Sequence, residues 1–234
     1  MLDSVFDLIV ILIGLFITFM IHEVGHLVGG KISGFKFNSF SIGLMYFYKK
    51  NSKLKFKVRK LTLFNILSGH CQMIPEQGFK SFNPFWFNLG GSFFNLLTTF
   101  ILFIVIENIE INHIWLSWIR PGMVMNLIIG LGNLIPLKIL QQTDGYNRIR
   151  GFYATDKRGM YIMLILDREV KNGKRYRDFD PDLLLVDLNE KINSFFVAFL
   201  VMVFAFYLAD KGDHKAAIKE LNRLDLKKLL IYEM

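Results

Sequence analysis

Residues 5–30 read VFDLIVILIGLFITFMIHEVGHLVGG, and Asp7 is the only charged residue there outside the pentapeptide His22-Glu23-Val24-Gly25-His26. An apolar run of this length reads as a membrane-crossing helix, because about 20 apolar residues span the hydrocarbon. A charged side chain at the centre of such a helix costs about 2.5–3.5 kcal/mol on insertion scales. Two histidines and a glutamate in this position therefore need a partner that offsets their cost. Positions i and i+4 of a helix lie on one face a turn apart, so His22 and His26 can aim ring nitrogens at one ion. Glu23, beside the first ligand, then reaches a metal-bound water as general base.

Composition agrees with a membrane protein. The chain has 234 residues, 53% of them hydrophobic and 15% aromatic, with 24 phenylalanines; its mean hydropathy is +0.36. That excess over a globular average predicts several membrane spans. The net charge of +8 comes with no nucleic-acid-binding motif, so basic loops facing anionic lipid account for it and no nucleic-acid partner is expected. Cys71 is the one cysteine, which excludes an internal disulfide and a CxxC knuckle. The first apolar run lacks a basic leader and carries the motif, so it does not read as a cleavable signal peptide.

Beyond Gly30 the period changes. Phe35-Lys36-Phe37-Asn38-Ser39-Phe40 and Lys53 through Leu61 alternate apolar with polar residues, the signature of strands. Lys49-Lys50-Asn51-Ser52 reads as the turn between them. A small amphipathic sheet at the membrane surface is expected over residues 31–80. Ser68-Gly69-His70-Cys71-Gln72-Met73-Ile74-Pro75 reads as a loop, punctuated by Gly and Pro, and His70 has no partner at ligand spacing. A second span is expected from Phe82 to Ile106, with no charged residue but with Gly90-Gly91 and Asn95 inside it. A third runs from about Ile114 to Leu140. It carries Asn126, Gly130, Gly132 and Asn133, and Pro136 should break or kink it. Gln141-Gln142-Thr143-Asp144-Gly145 follow directly.

Residues 31–80 hold ten Lys/Arg, whereas the N-terminus and the stretch from Glu107 to His113 hold none. The positive-inside rule then predicts the N-terminus outside, the sheet inside and Asp144 inside, near the depth of the motif. Residues 151–234 are charged and rich in helix formers, and are expected to form a helical cytoplasmic tail. The apolar run Phe195 to Ala209 is short for a fourth span, which would also carry six Lys/Arg (Lys211 to Lys228) outside. Tyr207 to Leu224 reads as a tetratricopeptide-type helix pair turning at Gly212. The expected fold class is mainly α and polytopic. Three core transmembrane helices hold the small sheet between the first and second, with a membrane-embedded core over residues 1–150 and a helical region over 151–234.

Three elements together resemble the site-2 protease family of intramembrane zinc metalloproteases. They are His22-Glu23-Val24-Gly25-His26, Gly91-x-x-x-Asn95, and Asn133-x-x-Pro136 with Asp144-Gly145. The resemblance covers about residues 5–150. It departs from the family at Lys138, Gln141 and Gln142, which replace a proline-rich, apolar approach to Asp-Gly. It implies one zinc per chain held by His22, His26 and Asp144, with Glu23 as general base. Asn95 or Asn133 would hold the oxyanion or orient the substrate backbone. It further implies a transmembrane protein or peptide substrate, the lipid bilayer as surroundings, and multi-pass residence in the cell membrane with the active site near the cytoplasmic side. One rival reading is a non-catalytic peptide-binding or immunity protein that retains the fold, against which stands the intact Glu23. Another is a transporter using the intramembrane His and Glu as a relay, against which stands the absence of an internal repeat.

Overall fold

The computed structural model describes residues 5–50, 53–62, 65, 68–136 and 143–224. Helix α1 (Val5–Ile32) is followed by strands β1 (Phe35–Ile42), β2 (Met45–Lys50), β3 (Lys53–Val58) and β4 (Gly69–Pro75). Helices α2 (Phe85–Asn108), α3 (His113–Leu134), α4 (Asp144–Arg150), α5 (Ala154–Lys171), α6 (Pro181–Leu184), α7 (Phe195–Asp210) and α8 (His214–Leu221) complete the order. The described residues divide into two compact units, one running from α1 to α3 with Thr143–Gly145, the other comprising Gln77–Asn83 and the residues from Tyr146 onward.

The first unit contains three helices long and apolar enough to cross a membrane. Leu12 and Ile17 of α1, Phe100 and Phe103 of α2, and Ile128 and Leu131 of α3 are all exposed, as expected of helices whose outer faces meet lipid tails. Between helices, small residues and polar pairs do the joining, because lipid supplies no hydrophobic drive for one helix to leave it for another. A Cβ on Gly25 of α1 would collide with the Gly90 carbonyl of α2, and one on Gly90 with the Gly25 carbonyl. Gly29 meets Trp86 in the same way. The two backbones therefore touch along this seam. Across α1 and α3, Asn126 Nδ2 donates to Thr18 Oγ1 at 3.1 Å, and Thr18 Oγ1 donates in turn to the Gly14 carbonyl at 2.8 Å.

Helix α3 ends at Leu134, and Ile135 is extended (ψ 129°) ahead of Pro136. Proline disfavours helical geometry in the residue before it and lacks the N–H that would continue the ladder. The expected stop at Pro136 is thus observed, six residues short of the expected end at Leu140. Lys138, Gln141 and Gln142 lie outside the described residues.

The four strands form one antiparallel sheet in the order β3-β2-β1-β4. Gly43 turns β1 into β2 with φ 55°, a left-handed value that glycine adopts at little cost. Lys50 pairs with Lys53 across the second turn, whose residues Asn51 and Ser52 are outside the described set. The alternating stretches at 35–40 and 53–58 are strands as expected. Gly69 to Pro75, however, is not the loop its punctuation suggested. It is an edge strand paired to β1 from Phe35↔Pro75 to Ile42↔Gly69. Proline is tolerated there because β4 is an edge strand, and Cys71, Met73 and Ile74 are buried.

In the second unit α7 is the central element. It is 16 residues long, and Leu200, Val201 and Val203 are wholly buried. A helix apolar on every side, too short to span comfortably, is thus the core of a helical bundle. Its N-cap, Ser194, accepts from the Val197 N–H and donates to Asp156 of α5. Arg150 pairs with the same carboxylate through Nε (2.9 Å) and Nη2 (2.6 Å). Gly212, with φ 88°, turns α7 into α8, and Asp213 caps α8 by accepting from the Ala216 N–H. The turn expected at Gly212 is present, but the helix before it begins at Phe195 and not near Tyr207.

Candidate metal and active site

The i, i+4 spacing on α1 stacks His22 and His26 edge to face, with ring centroids 4.8 Å apart. Their Nε2 atoms are 3.2 Å apart. Asp144, the first residue of α4, brings Oδ2 to 3.0 Å from His22 Nε2 and 3.3 Å from His26 Nε2. These three side chains form a group able to hold a metal ion.

The chain reaches this point through the residues around the helix break. Thr143 Oγ1 donates to the Ile135 carbonyl at 2.6 Å. Gly145 lies against the end of α3: a Cβ there would collide with the Leu134 carbonyl and come within 3.0 Å of the Asn133 carbonyl. The glycine after Asp144 is therefore a steric requirement for bringing the carboxylate beneath the histidines.

Behind the ligands stands α2. The Phe87 carbonyl lies 2.7 Å from His26 Nδ1, which can donate its N–H to it. Asn95, wholly buried, brings its Nδ2 to 3.2 Å from His22 Nδ1. Gly91 leaves room for the His22 ring, since a Cβ would sit 2.6 Å from its Nε2. Both rings thus turn Nδ1 toward α2 and Nε2 toward Asp144.

Glu23 lies between the ligands in sequence but faces the sheet. The Cys71 N–H of β4 donates to its carboxylate. Gly69 sits directly beneath it, where a Cβ would come 2.5 Å from Glu23 Cγ and 2.7 Å from Oε1. The buried Cys71 thiol is pushed up to about 12 by burial and then by the Glu23 charge, so it stays protonated and is neither ligand nor nucleophile.

The donor set fits zinc. With Nδ1 of His26 protonated toward Phe87, its Nε2 presents a lone pair, facing Asp144 Oδ2, which among the described residues has no hydrogen-bond partner although both ring nitrogens are within 3.3 Å. Bare acceptors this close repel unless a cation lies among them. Tetrahedral zinc with bonds of about 2.0–2.1 Å separates its ligand atoms by roughly 3.3–3.4 Å; the three separations here are 3.2, 3.0 and 3.3 Å.

The other residues singled out in the sequence are not among these ligands. Asn133 donates from Nδ2 to the Ile129 carbonyl of its own helix at 3.1 Å. His70, expected to be no ligand, lies on β4 and is outside the metal-capable group. The sequence reading missed Gly69, Cys71 and Phe87. Phe87 and Cys71 act through backbone atoms, which leave no side-chain signal, and Gly69 was read as punctuation.

Residues 10–114 match the model of peptidase family M50, the site-2 protease family. The family is one of intramembrane metalloproteases. The match takes in both histidines, Glu23, the sheet and α2, and stops short of Asp144. No curated protein matches the chain, and no solved structure does.

Proposed function

We propose that this chain belongs to peptidase family M50 and is an intramembrane zinc metalloendopeptidase, which hydrolyses a peptide bond in or near a transmembrane segment of a protein or peptide substrate. The observation that carries the reading is the convergence of His22 Nε2, His26 Nε2 and Asp144 Oδ2 on one point, with a separately anchored carboxylate beside it. Zinc held by these three residues would supply a Lewis acid that lowers the pKa of water to about 7.

Glu23 takes the proton from the attacking water, whose oxygen bonds to the scissile carbonyl carbon. It then gives that proton to the leaving nitrogen as the C–N bond breaks. The Cys71 N–H and the surface of Gly69 hold the carboxylate for this task, so its direction is fixed by the sheet and not by α1 alone. Placement of this kind accounts for much of a hydrolase's rate, because reacting groups must already be aligned.

A substrate helix must unwind locally before its peptide bond is accessible. β4 is an edge strand with Glu23 beside it, and strand addition along its outer side would present an extended segment to the base. The position of Glu23 favours β4 over the hairpin of β2 and β3 for this capture. The hairpin of β2 and β3 carries Tyr46, Tyr48, Lys55 and Lys57 on one face and Phe47, Phe56 and Val58 on the other. That division supports a membrane-surface location with the apolar face against lipid. The lysines and arginines of 31–80 support a cytoplasmic position for the sheet and site. A non-catalytic peptide binder would have no use for a carboxylate held in this manner.

The reading is tested by reconstituting the chain in lipid nanodiscs with a tagged single-span peptide and removing metal with a chelator. Cleavage should stop and return on adding zinc. Cleavage unaffected by prolonged chelation would refute it.

A further inference from the structure

Asn95 turns its Nδ2 toward His22 Nδ1 and leaves Oδ1 buried with no hydrogen-bond partner among the described residues. That orientation suits the imidazole tautomer whose Nδ1 is bare. Coordination through Nε2 requires the other neutral tautomer, in which Nδ1 carries the hydrogen and Nε2 the lone pair. An N–H facing an amide NH2 sets donor against donor. A half-turn of the Asn95 amide replaces that with Nδ1–H donating to Oδ1, and gives a partner to an atom that otherwise has none.

We propose that Asn95 is a positioning residue for the metal site: its Oδ1 accepts from His22 Nδ1–H and fixes the tautomer that offers Nε2 to zinc. This inference rests on the zinc reading above and assigns Asn95 a role behind the ligand, in place of the oxyanion role expected from sequence. Its counterpart for His26 is the Phe87 carbonyl, 2.7 Å from Nδ1. Helix α2 thus supplies the outer partner of both histidines, and the seam at Gly25, Gly90 and Gly91 lets it come close enough to do so. The backbone carbonyl cannot be removed by mutation, whereas the amide can. An amide also serves either tautomer by turning over, so Asn95 can satisfy His22 before and after metal arrives. An aspartate there serves only the tautomer with Nδ1–H.

Outer partners of ligating histidines typically contribute about 10–100-fold to metal affinity. The test measures zinc affinity of the full chain by chelator competition for wild type, Asn95→Asp, Asn95→Leu and Asn126→Leu, with helical content recorded for each. Asn126 is a buried asparagine that donates to Thr18 and to the Gly122 carbonyl, so its variant reports the general cost of losing a buried amide. The expected result is a loss of about 10–100-fold for Asn95→Leu, with Asn95→Asp and Asn126→Leu within a few-fold of wild type. Wild-type affinity in Asn95→Leu overturns the proposal. So does an equal loss in Asn95→Asp, which would mean that the acceptor is irrelevant, or an equal loss in Asn126→Leu, which would make the effect one of packing. A wild type that binds no zinc overturns the metalloprotease reading itself, and this inference with it.

Discussion

A Cβ on Gly69 would lie 2.5 Å from Glu23 Cγ, so the bare backbone of β4 is what allows the proposed base to lie where it does. Gly69→Ala must move the carboxylate. Displacement of a reacting group by about 1 Å costs on the order of 100-fold in rate. Because the atoms nearest such a Cβ all belong to Glu23, zinc content should be unchanged while cleavage falls by about that factor. Zinc loss in Gly69→Ala would show that the strand supports the ligands and not the base.

Gly91 gives the complementary case. A Cβ there meets the His22 ring, 2.6 Å from Nε2, and the ring cannot retreat without leaving the metal point. Gly91→Ala should weaken zinc binding by about 10-fold or more, in the range expected when a ligand is disoriented. Equilibrium dialysis against buffered zinc measures this. The two glycine variants thus separate the parts of the site: one spares metal and harms the base, the other harms metal.

The thiol of Cys71 offers a test by chemical reactivity. Burial and the nearby Glu23 charge raise it from 9.0 to about 12. At pH 8 a shift of that size cuts the thiolate fraction roughly 1,000-fold. Iodoacetamide should therefore leave Cys71 unmodified in the folded chain over hours and alkylate it promptly after denaturation, as read by mass spectrometry. Fast alkylation of the folded chain would place Cys71 on an open surface.

In the second unit, Asp156 is 2% exposed and depends on Arg150 and Ser194. Arg150→Met leaves a buried carboxylate without its cation, which costs about 3–5 kcal/mol. The double variant Arg150→Met with Asp156→Leu removes both charges and should recover much of that loss. Thermal unfolding followed by circular dichroism distinguishes these outcomes. Equal destabilisation of the single and double variants would argue that packing, and not the unpaired charge, matters here.

How far these features are legible in the sequence depends on whether their cause is local. His22, Glu23 and His26 can be read directly, because one helical turn fixes their relation. The three long apolar helices follow from composition, and the end of α3 follows from Pro136. Asp144 lies 118 positions after His26, and no local pattern ties it to the histidines; only a family resemblance suggests the link. β4 reads as a loop because Gly69 and Pro75 look like punctuation, whereas the first makes room for Glu23 and the second closes the strand. Helix α7 reads as a marginal span because composition cannot distinguish lipid from a protein core around it. Asn95 stands out in an apolar run, but which atom of the amide matters depends on the tautomer of a residue 73 positions away.

The central claim is that Glu23 acts on water at a zinc site made by His22, His26 and Asp144. Its most direct measurement pairs zinc stoichiometry with cleavage of a transmembrane peptide for wild type, Glu23→Gln and Asp144→Ala. Wild type should hold one zinc and cut. Glu23→Gln should keep the metal and lose cleavage by at least the roughly 100–10,000-fold that a general base contributes, and Asp144→Ala should lose both. Cleavage by Glu23→Gln at the wild-type rate, or full zinc in Asp144→Ala, would contradict the account.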